Sequence, residues 1–144
     1  NNRMRMPKAS QRFTFPKKEH LKSKTLIRKL FQKGNSKVIY PFRLVWVKCE
    51  CTNDAPIRFA VSVPMKIQPK ANKRNRLKRQ IKEAWRLNKQ QTIANLNDCN
   101  EKKDNNKVGL AVMCIYVARE KLPYKVMEGK MMACAKFLSY LCQN

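Results

Sequence analysis

The chain has 144 residues, and 33 lysines and arginines against 9 aspartates and glutamates give it a formal net charge of +24. Such an excess of one sign disfavours a compact state by self-repulsion, so we expect an anionic partner, with nucleic acid ahead of an anionic lipid surface. The lack of an apolar run of membrane-spanning length and of a signal-peptide core predicts a cytoplasmic protein with no membrane partner.

The beginning of the chain predicts an arm followed by a helix. Residues 1–16 are basic and carry no apolar pattern, which indicates a flexible arm ahead of a single domain over residues 17–144. Residues 19–33 are predicted to form an amphipathic helix that ends at Gly34. Its apolar residues recur at helical spacing, and they are Leu26, Ile27, Leu30 and Phe31.

Strand signals follow. Residues 42–49 and 57–64 are rich in valine and aromatic side chains, which is typical of strands. The residues between them have turn chemistry, so the sequence favours an antiparallel hairpin of these two strands. A further short strand is predicted over residues 36–40, next to Pro41.

The second half of the chain alternates helix and strand. A basic helix is predicted from residue 72 to about residue 95. The polar, Asn-rich residues 95–107 predict an exposed loop, and the bounds assigned to this loop are 92–107, which overlap the end of the helix. The continuous apolar run at 108–118 indicates a strand that is covered on both faces. Residues 123–142 predict a last helix, whose buried stripe consists of Met127, Met131, Cys134, Ala135, Leu138 and Leu141. The order α-β-β-β-α-β-α predicts an α+β fold, a two-layer sandwich of helices on a small sheet.

The basic helix carries an apolar stripe and a band of charge beside it. At 100° per residue, Ile81, Ala84 and Trp85 fall within about 80° of Leu77 and predict one buried stripe. A second set of residues falls on one flank, between about 100° and 200°: Asn75, Lys78, Arg79, Lys82, Arg86 and Lys89. Like charges one turn apart repel by a few tenths of a kcal/mol each, which favours a polyanion on that flank. A solvated helix face is the alternative.

Arg74, Asn75 and Arg76 are predicted to lie at the start of this helix. The helix dipole and unpaired amides there favour an anion. Guanidinium groups match the geometry of phosphate oxygens, and Asn75 can cap the helix or donate to the anion. We therefore expect this end of the helix to bind phosphate.

Other chemistry is weakly supported by the sequence. The six cysteines, at 49, 51, 99, 114, 134 and 142, form no C-x-x-C pair, and His20 is the only histidine. We expect reduced thiols and no metal site in the protein. The nine acids are scattered, and no catalytic residue is predicted.

A resemblance adds to this interpretation. The segment KRNRLKRQIKEAWR, residues 73–86, resembles the R-N-R signature of the protein subunit of bacterial ribonuclease P. RFAVSVPMK (58–66) resembles a strand of that family, and IRKLFQKG (27–34) resembles its first helix. The resemblance covers residues 17–90 strongly, whereas residues 108–142 match in element order and hydrophobicity only.

The resemblance implies a small mixed sheet with a left-handed β-α-β crossover through the basic helix. It also implies a non-catalytic subunit of an endoribonuclease, in which a catalytic RNA removes the 5′ leader of precursor tRNA and holds most of the Mg²⁺. The implied partners are that RNA and precursor tRNA, with no obligate protein partner. The implied RNA-binding residues are Lys73, Arg74, Asn75, Arg76, Lys78, Arg79, Lys82 and Arg86, and the implied leader cleft is lined by Ile27, Phe31, Val45, Ser62 and Lys66.

Two other classes of function stay open. A general RNA-binding structural protein, such as a ribosomal protein, would have the same charge and a similar small domain. A protein-only nuclease would need its own metal site, for which Asp54, Asp98 and Asp104 are the candidates.

Overall fold

A computed structural model of the chain describes residues 14–50, 55–101 and 107–141. These residues form one four-stranded sheet and four α-helices. In chain order the elements are α1 (Lys24–Lys33), β1 (Asn35–Ile39), β2 (Phe42–Glu50), β3 (Ile57–Ser62), α2 (Ala71–Asn88), α3 (Gln90–Glu101), β4 (Val108–Tyr116) and α4 (Tyr124–Leu141). None of the described helices is both long enough and apolar enough to cross a lipid bilayer.

The strand order across the sheet is β1-β2-β4-β3. The β1–β2 and β2–β4 pairs are antiparallel, and the β3–β4 pair is parallel. β4 takes a central position because it is apolar on both faces, as the sequence predicts. The predicted hairpin of residues 42–49 with 57–64 is therefore wrong, since β4 lies between these strands and β2 forms its hairpin with β1 instead.

Helices cover the two sheet faces unequally. Buried residues of α2 and α4 pack on the face that presents Phe42, Leu44 and Trp46, and this is the main core. On the opposite face, Leu30 of α1 packs over Val45 and its neighbours in a smaller cluster. β3 and β4 are joined through α2 and α3, so a crossover through the basic helix is present, and its left hand stays a prediction. The α+β class and the predicted element order are confirmed, with α3 as an additional helix.

The first helix begins later than predicted. The side chain of Ser23 caps α1 by accepting a hydrogen bond from Leu26 N at 3.3 Å. The preceding residues form a short 3-10 turn, Lys17–Glu19, and then run beside β3, where Leu21 N donates to Phe59 O at 3.1 Å. Residues 1–13 of the predicted arm lie outside the described residues. Phe15, near the end of the predicted flexible arm, is partly buried and packs against the main core.

The predicted exposed loop over 92–107 is wrong for its first ten residues, which belong to α3. One face of α3, with Thr92, Leu96 and Asn100 spaced one turn apart, is buried. Thr92 Oγ1 donates to the carbonyl of Ala135 at 2.8 Å, and Asn100 exchanges two hydrogen bonds with the backbone of Val108. These partners satisfy the polar groups of a face that looks unsuited to burial. Residues 102–106 lie outside the described part.

Gly34 ends α1 and lies directly against the sheet. A Cβ at this position would lie 2.3 Å from the carbonyl oxygen of Leu30 and 3.0 Å from Cγ1 of Val45. The backbone of residue 34 is in an ordinary extended conformation, so the requirement for glycine is one of space rather than of torsion angle.

Candidate nucleic-acid interface

The basic helix α2 is fixed to the core by its apolar stripe. Leu77, Ile81, Ala84 and Trp85 are all buried, as the sequence predicts. The indole of Trp85 is fully buried and stacks on the ring of Phe59, with centroids 4.1 Å apart and an interplanar angle of 3°. This packing sets the rotation of the helix about its own axis, and with it the direction in which the charged residues point.

The band of charge is present on one flank of α2. Arg79 and Lys82 are exposed, and Lys78 is half-buried. Within the described part of the chain, none of these three side chains makes an ion pair or a hydrogen bond. Lys82 also lines a depression of about 160 Å³ with His20 and Ala60, at the β3 edge of the sheet. Lys78, Arg79 and Lys82 therefore form a cationic surface that reaches the sheet edge and has no anionic partner among the described residues.

Lys89 is not part of the band, and its prediction is wrong. α2 ends at Asn88, and the side chain of Lys89 turns into the protein, where it is 1% exposed. Its ammonium donates to the carboxylate of Glu19 and to the carbonyl of Thr14, and it lies 5.5 Å from the centre of the Phe15 ring. Burial lowers the pKa of Lys89, and the hydrogen bond that Lys89 donates to Glu19 opposes that shift. Lys89 therefore attaches the N-terminal segment to the domain.

The R-N-R residues lie one turn inside α2 rather than at its start, because the helix begins at Ala71. Arg74 N already donates to the carbonyl of Lys70, so its amide is not free for an anion. The Arg74 guanidinium donates to the carbonyls of Gln68 and Pro69, at 3.1 and 3.0 Å. Asn75 is exposed and makes no capping bond. Here Arg74 holds the preceding loop, while Asn75 and Arg76 face solvent.

Arg86 has an internal partner as well. Its Nε donates to Oε1 of Glu83 at 2.9 Å, and its Nη2 donates to the other carboxylate oxygen. This two-pronged contact lowers the pKa of Glu83 and raises the pKa of Arg86. An anion at this position would have to share Arg86 with Glu83.

The predicted cleft residues differ in how accessible they are. Phe31 is 60% exposed on α1, and Lys66 is exposed beyond the end of β3. Val45 is buried beneath α1, with Ile27 packed against the same cluster. Ser62 is half-buried at the end of β3. Val45 thus supports the helix, and only the other four have surface that a ligand can reach.

Sequence reasoning missed the floor beside α1. Met113 of β4 pairs with Val45 of β2 and with Ala60 of β3, so these three residues lie in one row on the same face of the sheet. In the next row on this face, Ile115 pairs with Ser62. Ala60 and Ile115 are half-buried, so a strip of sheet next to α1 is open. Alternate side chains of β4 point to opposite faces of the sheet, and this could have indicated the floor. The inference also requires the correct strand pairing, and the hairpin that the sequence favours is wrong.

The described residues contain no group of three or more His, Cys, Asp or Glu side chains placed to hold a metal ion. Asp98 is exposed on α3, and Asp54 and Asp104 lie outside the described residues. Two of the cysteines, Cys114 and Cys134, are buried in the main core.

Comparisons with known proteins point in one direction. A family model described as Ribonuclease P matches residues 15–100. A ribonuclease P protein component of Rippkaea orientalis is 36% identical over 76 residues, which cover 50% of this chain and 58% of that protein. One of Porphyromonas gingivalis is 39% identical over 77 residues, which cover 54% of this chain and 56% of that protein. The chain thus spans a little over half the length of these curated relatives.

Solved structures show the same fold. The RNase P protein of Thermotoga maritima matches with a TM-score of 0.58 and 20% identity, covering 83% of this chain and 96% of that one. The RNase P protein of Staphylococcus aureus matches with a TM-score of 0.54 and 18% identity, covering 83% of this chain and 94% of that one. At these identities the likeness concerns the fold.

Proposed function

The chain belongs to the ribonuclease P family, and from this premise we propose that it is the protein subunit of a ribonuclease P. In this role it binds the catalytic RNA and the 5′ leader of precursor tRNA, and it assists removal of that leader in the cytoplasm. The observation that carries the proposal is the cluster of Lys78, Arg79 and Lys82 on α2, which have no anionic partner among the described residues. Their helix is held in place by a buried stripe, and Lys82 reaches the edge of the sheet at β3.

Binding of the catalytic RNA is assigned to α2. Lys78, Arg79 and Lys82 are the strongest candidates, because their charges have no anionic partner among the described residues. Each phosphate contact releases condensed counterions, so such a surface binds RNA more tightly at low salt. Arg74 and Arg86 contribute less in this proposal, since both guanidinium groups already have acceptors within the protein.

Binding of the leader is assigned to the open strip beside α1. Phe31 is the exposed aromatic ring there, and stacking of one base on such a ring is worth about 1–3 kcal/mol. Ile27 and Ser62 border the strip, and Lys66 supplies a charge for the backbone of the leader. Because Phe31 is the exposed aromatic ring that the described residues place at this strip, we expect the affinity for a leader to be moderate and to depend little on its sequence.

The protein is proposed to contribute positioning rather than chemistry. The Mg²⁺ ions of the reaction would be held mainly by the RNA, whose phosphates are the hard oxygen ligands that Mg²⁺ prefers. The protein's part is to neutralise phosphate repulsion and to hold the leader so that the substrate binds in one register.

Reconstitution tests the proposal. The protein is combined with a bacterial ribonuclease P RNA and a precursor tRNA at low Mg²⁺, and cleavage should be faster than with RNA alone. Replacing Arg79 and Lys82 with glutamate should remove most of the gain, whereas Lys130→Glu with Lys136→Glu, exposed on α4, is the matched control. Equal rates with and without the wild-type protein would refute the proposal.

A general RNA-binding protein, such as a ribosomal protein, is the second candidate, because the charge of the chain suits it equally. Leader length separates the two. A ribonuclease P subunit should bind precursor tRNA complexes more tightly as the leader grows to several nucleotides, and Phe31→Ala should reduce this gain. Tyr140→Ala, which removes a comparably exposed ring on α4, is the control. Affinity that does not depend on the leader would favour the ribosomal alternative.

A further inference from the structure

A cavity of about 290 Å³ opens beside the N-terminal part of α2, between that helix and the segment that follows β4. Its apolar lining comes from both sides: Ile67 and Leu77 from the α2 side, Tyr116 and Ala118 from the β4 side. Leu77, Tyr116 and Ala118 are buried members of the main core. The floor of the cavity is therefore formed by buried core residues, with the half-buried Ile67 as its more accessible part.

Four cations surround this apolar floor. Lys73 and Arg76 come from α2, and Arg119 and Lys121 come from the segment after β4. Within the described ranges, none of the four side chains has an ion pair or a hydrogen bond. The lining contains one acid, Glu120, whose carboxylate accepts a hydrogen bond from the Tyr40 hydroxyl at 3.2 Å. Four unpaired positive charges around one depression repel each other, and an anion would relieve this repulsion.

Both walls of the cavity are held in place. The buried hydroxyl of Tyr116 donates to the carbonyl of Glu120 at 2.7 Å and accepts from Leu122 N at 3.2 Å, which fixes the segment that carries Arg119 and Lys121. On the other side, Arg74 bonds the carbonyls of Gln68 and Pro69. A ligand would thus meet a site that is already formed and would lose little free energy in ordering it.

The cavity is separate from the charge band. Arg76 and Lys82 are six residues apart on α2, which places them about 120° apart around the helix axis. Lys82 faces the β3 edge, whereas Arg76 faces the end of β4. The cavity is also lined by none of the residues assigned to the leader strip.

We propose that this cavity takes one nucleotide unit of the bound RNA, with its phosphate between the four cations and its base against the apolar floor. The inference rests on the proposed function, since it requires that RNA is the partner. Ammonium and guanidinium groups suit a phosphate, and buried aliphatic and tyrosine carbon suits the face of a base. An inorganic anion would contact the cations but not the apolar floor, and an apolar ligand would contact the floor but not the cations. A nucleotide is the ligand that would contact both.

A free nucleoside 5′-monophosphate has the same chemistry, and this allows a direct test. The intact protein is titrated with each of the four common nucleoside 5′-monophosphates and, separately, with inorganic phosphate, while the amide signals of Leu77 and Ala118 are followed by NMR. We expect nucleotides to shift these signals at lower concentration than phosphate does. Equal affinity for inorganic phosphate would overturn the base-binding part, and the absence of any shift would overturn the site.

Variants give effects of opposite sign. Arg119→Ala with Lys121→Ala should weaken nucleotide binding by at least about tenfold, the equivalent of one charge-assisted hydrogen bond. Glu120→Gln should strengthen it, because it removes the one negative charge of the lining and retains an acceptor for Tyr40. Lys130→Ala with Lys136→Ala keeps the same change in net charge away from the cavity and should leave binding unchanged. Unchanged binding in the first variant would refute the assignment.

The RNA-bound source is tested by crosslinking. A photoreactive Gln68→p-benzoylphenylalanine variant, which lines the cavity, is irradiated with the catalytic RNA, and we expect one dominant crosslinked nucleotide that disappears with Arg119→Ala and Lys121→Ala. If the protein binds free nucleotides but gives no such crosslink, the cavity binds a free nucleotide and not a nucleotide of the catalytic RNA. If the wild-type protein still accelerates cleavage, only this inference fails. If it does not accelerate cleavage, the proposed function fails whatever the titration shows.

Discussion

The buried pair of Lys89 and Glu19 allows a sharp prediction about stability. The two side chains are 2% and 13% exposed, and the ammonium also holds the carbonyl of Thr14. Replacing Lys89 with methionine retains most of the apolar stem and removes the charge. It leaves the Glu19 carboxylate, whose side chain is largely shielded from water, without the ammonium that it accepts from.

The cost follows from that isolation. Removal of one partner of a buried ion pair costs about 3–5 kcal/mol, because the remaining charge is uncompensated. With an m-value of about 2 kcal/mol/M in urea, the unfolding midpoint should fall by about 2 M. The double variant Glu19→Leu with Lys89→Met should lose less free energy of unfolding than Lys89→Met alone, because an apolar pair leaves no unpaired charge buried.

Urea unfolding at pH 7, followed by circular dichroism, measures these differences. Lys136→Met, an exposed lysine of α4, is the matched control and should change the free energy of unfolding by no more than about 0.5 kcal/mol. If Lys89→Met unfolds at the wild-type midpoint, the pair does not attach the N-terminal segment to the domain, and the account of this segment is wrong.

Three more predictions concern the core, the charge band and the thiols. Trp85→Ala should lower the free energy of unfolding by about 3–5 kcal/mol, and a smaller loss in thermal or urea unfolding would mean that the stripe does not seat the helix. Replacing Arg79 and Lys82 with alanine should flatten the slope of log affinity for RNA against log salt by about 0.7–0.9 per lost phosphate contact, and an unchanged slope would place the RNA elsewhere. Burial raises the pKa of Cys134 to about 12, and it also raises the pKa of Cys114 well above its usual value. Both thiols should therefore stay protonated and resist alkylation in the folded protein at pH 8 to 9, as read by peptide mass spectrometry, and early labelling of either would contradict its burial.

The sequence predicted those elements whose burial follows one repeat. The stripe of α2 is a 3.6-residue pattern that includes Trp85, and β4 is apolar without interruption, so both were predicted with their correct faces. Periodicity indicates which face of a strand is buried but not which strand lies beside it. The pairing of β2 with β1 and β4 therefore escaped sequence reasoning.

Elements stabilised by distant polar partners could not be predicted in the same way. α3 was interpreted as a loop because two of its three buried residues, Thr92 and Asn100, are polar, and their partners lie in other elements. Lys89 was placed in the charge band because helical spacing alone continues past Asn88. At the candidate nucleic-acid interface, the R-N-R motif located α2 correctly. It could not show that Arg74 donates to loop carbonyls and that Arg86 donates to Glu83.

Glycine at position 34 has a consequence for the surface formed by α1 and the sheet. Because Gly34 has no Cβ, the end of α1 can pack closely over Val45, and the last turn of the helix, which carries the exposed ring of Phe31, lies against the sheet. A methyl group there would collide first with the carbonyl oxygen of Leu30 in the last turn of α1 and then with Val45, so it would disturb the end of the helix. The surface beside Phe31 therefore depends on a residue that makes no contact through a side chain, because any larger residue at position 34 would alter how the helix meets the sheet.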